Sequence, residues 1–208
     1  MDIDLARTWV HAIATAVDKQ KDLLTRLDSA IGDADHGVNM HRGFTAAATA
    51  VSALESGAAG AVLFETGSAL LSNVGGASGP FFGRAFRAIG QVLDVPTATP
   101  QEMADALAAG LAAVAELGAA APGDKTVIDA WAPALDAFRH RADTGTDLAA
   151  AALAAADAAE EGMRATVPLQ ARKGRASYLG TRSIGHQDPG ATSAALIFRA
   201  LADTATAR

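Results

Sequence analysis

The sequence predicts an all-α fold on three observations. Apolar residues recur at three- and four-residue spacing along nearly the whole chain, and alternating strand patterns bounded by turn signals are missing. The 208 residues are also 50% hydrophobic but only 5% aromatic, with alanine supplying much of the apolar count. Small side chains let helix axes approach closely, so about eight helices joined by short loops are expected.

Ile3, Leu5, Trp9, Ile13, Val17, Leu24 and Leu27 outline a first helix that starts behind Asp2 or Asp4 and ends at an acidic loop. A second runs from about Val38 to Leu54 and a third from about Gly60 to Val74, where Gly75-Gly76-Ala77-Ser78-Gly79-Pro80 breaks the pattern. The fourth passes through Phe82 to Leu93. Thr99-Pro100-Gln101-Glu102 combines a capping box with proline at the first helical position and opens a fifth helix, to about Leu117. The sixth begins after Pro122-Gly123-Asp124 and includes Ile128, Trp131, Leu135 and Phe138, with Pro133 a candidate kink. The seventh starts near Gly145-Thr146 and crosses the alanine-rich stretch to about Arg164, with a short extension toward Arg172. Asp157, Glu160, Glu161 and the leucines keep that stretch amphipathic, so it reads as helix and not disorder. The last helix runs from about Pro189 to Thr204, after one long loop from Lys173 to Asp188.

No linker or shift of composition divides the chain, so residues 1–208 are expected to form one domain. The formal charge of −6 and pI near 5.3 argue against nucleic acid as a partner, which needs a basic face. The absence of cysteine excludes disulfides and thiolate chemistry and suits a cytoplasmic location. Met1-Asp2-Ile3-Asp4 lacks the basic start of a secretory signal, and no apolar run reaches the ~18 residues of a membrane span.

The loop Leu27-Asp28-Ser29-Ala30-Ile31-Gly32-Asp33-Ala34-Asp35-His36-Gly37 concentrates three carboxylates. Two carboxylates about 4 Å apart repel by roughly 4 kcal/mol at an effective dielectric near 20, so a cation is expected among Asp28, Asp33 and Asp35. Oxygen ligands without Cys or clustered His favour Mg²⁺, which usually arrives with phosphate. The same residues also suit a turn that ends one helix and caps the next, and from this loop alone both readings stand. An EF-hand does not fit: counting from Asp33, the glycine comes one place early and Phe44 stands where Glu is required. The histidines lack zinc-ligand spacing.

Gly75 to Pro80 opens directly onto a helix and suits an anion site, although on this loop alone a tight helix–helix turn that needs glycine for positive φ is the stronger explanation. Gly118-x4-Gly123-Asp124-Lys125-Thr126 approaches a P-loop, but the lysine comes one residue late and no strand precedes it; Asp124 and Thr126 are expected to cap the next helix. The segment Arg172 to Gly190 gathers four cations, a lone tyrosine, a histidine and four glycines. A loop this long within a compact chain suits function, with Arg175 or Arg182 neutralising phosphate and Asp188-Pro189-Gly190 shaping a rim.

Together, Asp28-x4-Asp33-x-Asp35-His36-Gly37-x-Asn39-Met40, the Gly75 to Pro80 turn, Pro122-Gly123-Asp124-Lys125-Thr126, and Gly174-Arg175-Ala176-Ser177-Tyr178-Leu179-Gly180 through Asp188-Pro189-Gly190-Ala191 resemble the nucleotide-binding L subunit of dihydroxyacetone kinase. The resemblance spans nearly the whole chain. It implies a closed antiparallel barrel of about eight helices with Mg²⁺ and ADP or ATP at one end. Asp28, Asp33 and Asp35 would hold two Mg²⁺ ions, with Arg175 and backbone donors at Ser78 orienting phosphates. His36, Gly37, Val38, Asn39, Ala77, Ser78, Gly118, Val127, Arg175, Asp188, Pro189 and Gly190 would surround the nucleotide. The chain departs from the usual pattern at Ala34, in place of a common glycine, and at Val127, in place of methionine. It also departs at Leu117 and Ala119, where basic residues are frequent, and at Thr181, in place of an acid.

The implied function is to supply the γ-phosphoryl group to dihydroxyacetone, or a related small ketose, held on a separate K subunit. Such transfer depends on positioning and charge neutralisation, so no general base is required of this chain. In phosphotransferase-dependent members ADP stays bound as a coenzyme recharged by a phosphohistidine protein, and other members exchange free ATP. A nucleotide-state sensor that binds a regulator, a kinase subunit for another ketose or for a lipid-carrier partner, and a homodimer all remain open.

Overall fold

The computed structural model describes residues 1–54, 57–76 and 78–208. The described helices are α1 (Ile3–Ile31), α2 (His36–Ser52), α3 (Ala59–Asn73), α4 (Ser78–Val92), α5 (Pro100–Gly118), α6 (Ile128–Asp143), α7 (Leu148–Ala165) and α8 (Pro189–Thr206), with a 3-10 helix, Arg175–Ser183, between the last two. Among the described residues the only strand-like feature is an isolated antiparallel bridge between Asp2 and Thr97. No described helix is long and apolar enough to cross a membrane.

Helix boundaries follow local chemistry. The Asp2 side chain accepts from Leu5 N and starts α1, and Thr99 and Glu102 make the reciprocal capping box of α5. Asp147 caps α7 and Asp188 caps α8. The extension of α7 toward Arg172 does not form: Pro168 has no N–H to donate, and the helix gives way to turns after Ala165. The side chains expected to cap α6 do so only in part. Thr126 Oγ1 accepts from Ile128 N at 3.2 Å, whereas the Asp124 carboxylate turns back to Ala121 N at 2.9 Å. Instead Asp129, inside α6, reaches back to Gly123 N and Thr126 N at 2.5 and 2.7 Å. Helix α6 continues through Pro133, which packs against Gly162 of α7.

Each helix packs against its successor, and α8 packs back against α1, so the eight close into a ring. Its centre is apolar: the Phe86 ring centroid lies 5.7 Å from Trp9 and 5.9 Å from Phe44, and Trp131 meets Phe198 edge-on at 5.4 Å. Both indoles are also bolts between helices, Trp9 Nε1 donating to Ile197 O and Trp131 Nε1 to Leu107 O. Helices α3 and α4 approach closely through glycines; a Cβ on Gly83 would stand 3.0 Å from Gly67 O. Because the chain alternates direction, α2, α4, α6 and α8 begin, and α1, α3, α5 and α7 end, around one mouth of the ring.

Candidate functional site

The four helix N-termini at this mouth present backbone N–H groups and positive dipole ends to a cleft. Opposite them, the end of α1 supplies the acidic residues. One carboxylate oxygen from each of Asp28, Asp33 and Asp35 lies within 4.8 Å of the others. This is an oxygen-only donor set on a short, glycine-bearing turn, and it fits a hard divalent cation.

The three acids are held in different ways. Asp28 is buried at 8% exposure, and its Oδ2 accepts from Asp35 N at 2.9 Å and His36 N at 3.1 Å. It therefore caps α2 from the preceding helix, while Asp35, at the N-cap position itself, makes no side-chain capping bond. The capping reading of this loop is thus realised by Asp28 Oδ2, in a turn that also gathers the three carboxylates. Gly32 is required here because a Cβ would overlap Asp28 Oδ1. Asp33 is more open and pairs with Arg175 Nη1 at 2.8 Å. Ala34, between the acids, sits at φ 62°, a left-handed conformation that explains why glycine suits this position.

His36 is buried at the start of α2, its Nδ1 2.9 Å from Ser78 Oγ and its Nε2 2.7 Å from Ser193 Oγ. Burial lowers its pKa, against the opposing pull of Asp28 and Asp35. A neutral ring donates through one nitrogen and accepts through the other, so His36 links the starts of α2, α4 and α8. Asp188, buried at the start of α8, accepts from Ala191 N at 2.7 Å. Burial pushes its carboxyl up to about 7, with nearby Asp129 adding to the shift and Lys125 and the α8 amides opposing it.

The cleft brings together Asp28, Asp33, Asp35, His36, Ser78, Gly118, Val127, Arg175, Asp188, Pro189 and Gly190 of the residues expected at a nucleotide site. Three others line no part of it. Gly37 is pressed against α1, where a Cβ would collide with Lys21 O. Val38 is 50% exposed, and Asn39 is buried beneath the Gly75-Gly76 turn, accepting from Arg42 Nη2 at 2.8 Å. Ala77 lies outside the described residues. Sequence reading did not anticipate the apolar wall of Ile31, Phe81, Phe82, Val114 and Ile128, whose helical spacing marks them as core. Lys125 and Lys173 also line the cleft; Lys125 had a signal, in the rejected P-loop motif, but no role.

The DAK2 domain pattern matches residues 30–203. The chain belongs to the DAK2 domain family. This DAK2 domain is 42% identical to the "PEP-dependent dihydroxyacetone kinase, ADP-binding subunit DhaL" of Escherichia coli (strain K12), over 96% of this chain and 98% of that one. It is 40% identical to the corresponding subunit of kinase 1 from Listeria innocua, over 98% and 97%. It is also 41% identical to a D-erythrulose kinase of Mycolicibacterium smegmatis, of which it covers only 34%. Among solved structures it superposes on the dihydroxyacetone kinase of C. freundii in complex with AMP-PNP and Mg²⁺ with a TM-score of 0.74 and 26% identity, covering 98% of this chain and 34% of that one.

Proposed function

We propose that this DAK2 domain is the Mg²⁺- and ADP/ATP-binding subunit of a dihydroxyacetone kinase and provides the phosphoryl donor to a small ketose bound on a partner K subunit. The observation that carries the reading is the convergence of three aspartate oxygens within 4.8 Å at a mouth ringed by helix N-termini. Asp28, Asp33 and Asp35 are the residues to hold Mg²⁺, which when bound neutralises charge on the nucleotide phosphates. Arg175 reaches the same place and can exchange its contact with Asp33 for a phosphate oxygen. The backbone N–H groups at the starts of α4 and α8 hold phosphate in place, and the apolar wall beside Gly118 and Val127 accepts the base and excludes water. The neutral His36 positions Ser78 and requires no proton transfer with the donor.

Similarity to ADP-binding subunits over nearly their full length supports a partner-borne substrate, and the names of those relatives support ADP as a bound coenzyme recharged by a phosphohistidine protein. Similarity to erythrulose kinases, at 37–41% identity, favours a four-carbon ketose as the second reading. The test is phosphoryl transfer to dihydroxyacetone and, in parallel, to erythrulose, with a ketose-binding subunit present. Transfer by the native chain and its loss in Asp33→Asn are expected. Absence of transfer to either ketose, with ADP still bound, would refute the kinase reading in favour of a nucleotide sensor. Mass analysis of the native protein separates coenzyme ADP, retained through isolation, from exchangeable ATP.

A further inference from the structure

We propose that Lys125 is a positioning residue of the nucleotide site: its buried ammonium ties the chain at 167–169 to the end of the 3-10 helix at Ser183 and so holds Arg175 against the acidic cluster. The inference rests on reading the cleft as a site for ADP with Mg²⁺. Lys125 is 1% exposed, and its Nζ donates to the carbonyl oxygens of Ser183 at 2.7 Å, Leu169 at 3.0 Å and Val167 at 3.5 Å. An ammonium carries three N–H donors and no acceptor, so three carbonyls complete its bonding. No carboxylate pairs with it among the described ion pairs; Asp188 is the nearby opposite charge. Its backbone stands at φ 64°, a conformation L residues seldom adopt, which marks a side chain held by its surroundings.

The Val167 and Leu169 carbonyls lie on the strip that leads into the 3-10 helix, and the third belongs to Ser183, its last residue. Secondary bonds fasten the same stretches: Gly185 N to Val167 O at 2.8 Å, Ala171 N to Ser183 Oγ at 2.9 Å, and Arg172 N to Asp124 O at 3.1 Å. The 3-10 helix itself buries only Ser183, and Tyr178 on it is 88% exposed. A segment with so little core of its own takes its position from its stems. Arg175, one residue beyond the glycine that follows the first stem, then meets Asp33 at 2.8 Å. The glycine-rich approach to Lys125 thus serves a cation that organises backbone and does not touch phosphate, the reverse of a P-loop lysine.

Lys125→Met keeps the length of the side chain and removes the charge and all three donors. Titration of ADP with Mg²⁺ is expected to show at least tenfold weaker binding for Lys125→Met and for Arg175→Ala, and the double variant no weaker than the worse single within about threefold, because Lys125 acts through Arg175. A purely structural lysine would lower the melting point and leave affinity unchanged. Affinity of Lys125→Met within twofold of the native chain, or losses that multiply in the double variant, would overturn the proposal. If Lys125→Met does not fold, Lys125→Gln enters the same cycle. Amide exchange in the native chain provides a reading without substitution: Ala171 and Gly185 are expected to exchange as slowly as α7 and α8, and exchange as fast as at Tyr178 would overturn the clamp. A native chain that ignores ADP would remove the reading of the cleft, and the exchange rates would still decide on Lys125.

Discussion

Replacing Asp28 with alanine is expected to cost the metal-free protein more stability than replacing Asp33 with alanine. Each substitution takes one negative charge out of the cluster, so the relief of repulsion is broadly common to both and cancels in the comparison. What differs is bonding. Asp28 is buried and caps α2 through Asp35 N and His36 N. At ~1 kcal/mol for each lost hydrogen bond, its removal costs about 2 kcal/mol. Asp33 forfeits only its bridge to Arg175, whose side chain is largely exposed, so that solvent holds the loss to roughly 0–1 kcal/mol. The difference of about 1–2 kcal/mol corresponds to a gap of roughly 2–8 °C in melting temperature for a chain of this size. Calorimetry in EDTA without nucleotide measures it. An Asp28→Ala variant melting at or above Asp33→Ala would refute the capping role and leave Asp28 as a metal ligand alone.

Ala34→Gly should stabilise the protein by about 0.5–1 kcal/mol, since relief of the left-handed strain exceeds the added chain entropy of glycine; urea unfolding giving a lower midpoint would contradict this. Gly37→Ala should destabilise by about 1–3 kcal/mol, because the new methyl meets the α1 backbone at Lys21 O. A neutral result in the same assay would place Gly37 elsewhere. The carboxyl of Asp188 is raised to about 7, so the folded state holds its proton more tightly than the unfolded chain, and Asp188 takes stability away as pH rises from about 4 through 7. Asp188→Asn, which can still cap α8, should therefore lose less stability than the native chain between pH 5 and pH 8. Parallel slopes in urea titrations at the two pH values would show that Asp188 is not the group responsible.

The helices were legible where short-range chemistry decides them. Asp2 and the Thr99–Glu102 box mark helix starts by bonds made within three residues, Pro189 does so by its fixed φ at the first helical position, and the amphipathic spacing of Trp9, Ile13 and Val17 already names one wall of the core. The clustering of Asp28, Asp33 and Asp35 was legible because a single turn brings them together. The 3-10 helix was not, because its shape depends on Lys125, which lies 58 residues before the Ser183 carbonyl it holds. The apolar wall was hidden for another reason: Phe82 and Val114 are core and cleft at once, and periodicity cannot tell a ring's interior from the part of it that opens at one end. Asp28 showed only half of its part, since the peptide groups that it caps belong to the next helix.

The central claim, that the aspartate cluster makes this chain a Mg²⁺-dependent nucleotide binder, is tested most directly by melting the native protein and Asp33→Asn with ADP, in Mg²⁺ and in EDTA. At ADP a thousandfold above its dissociation constant, the native chain should gain about 4 kcal/mol of stability in Mg²⁺ and little in EDTA. Asp33→Asn should remain helical and gain nothing in either. A native melting curve indifferent to ADP and Mg²⁺, or an equal gain in Asp33→Asn, would contradict the account.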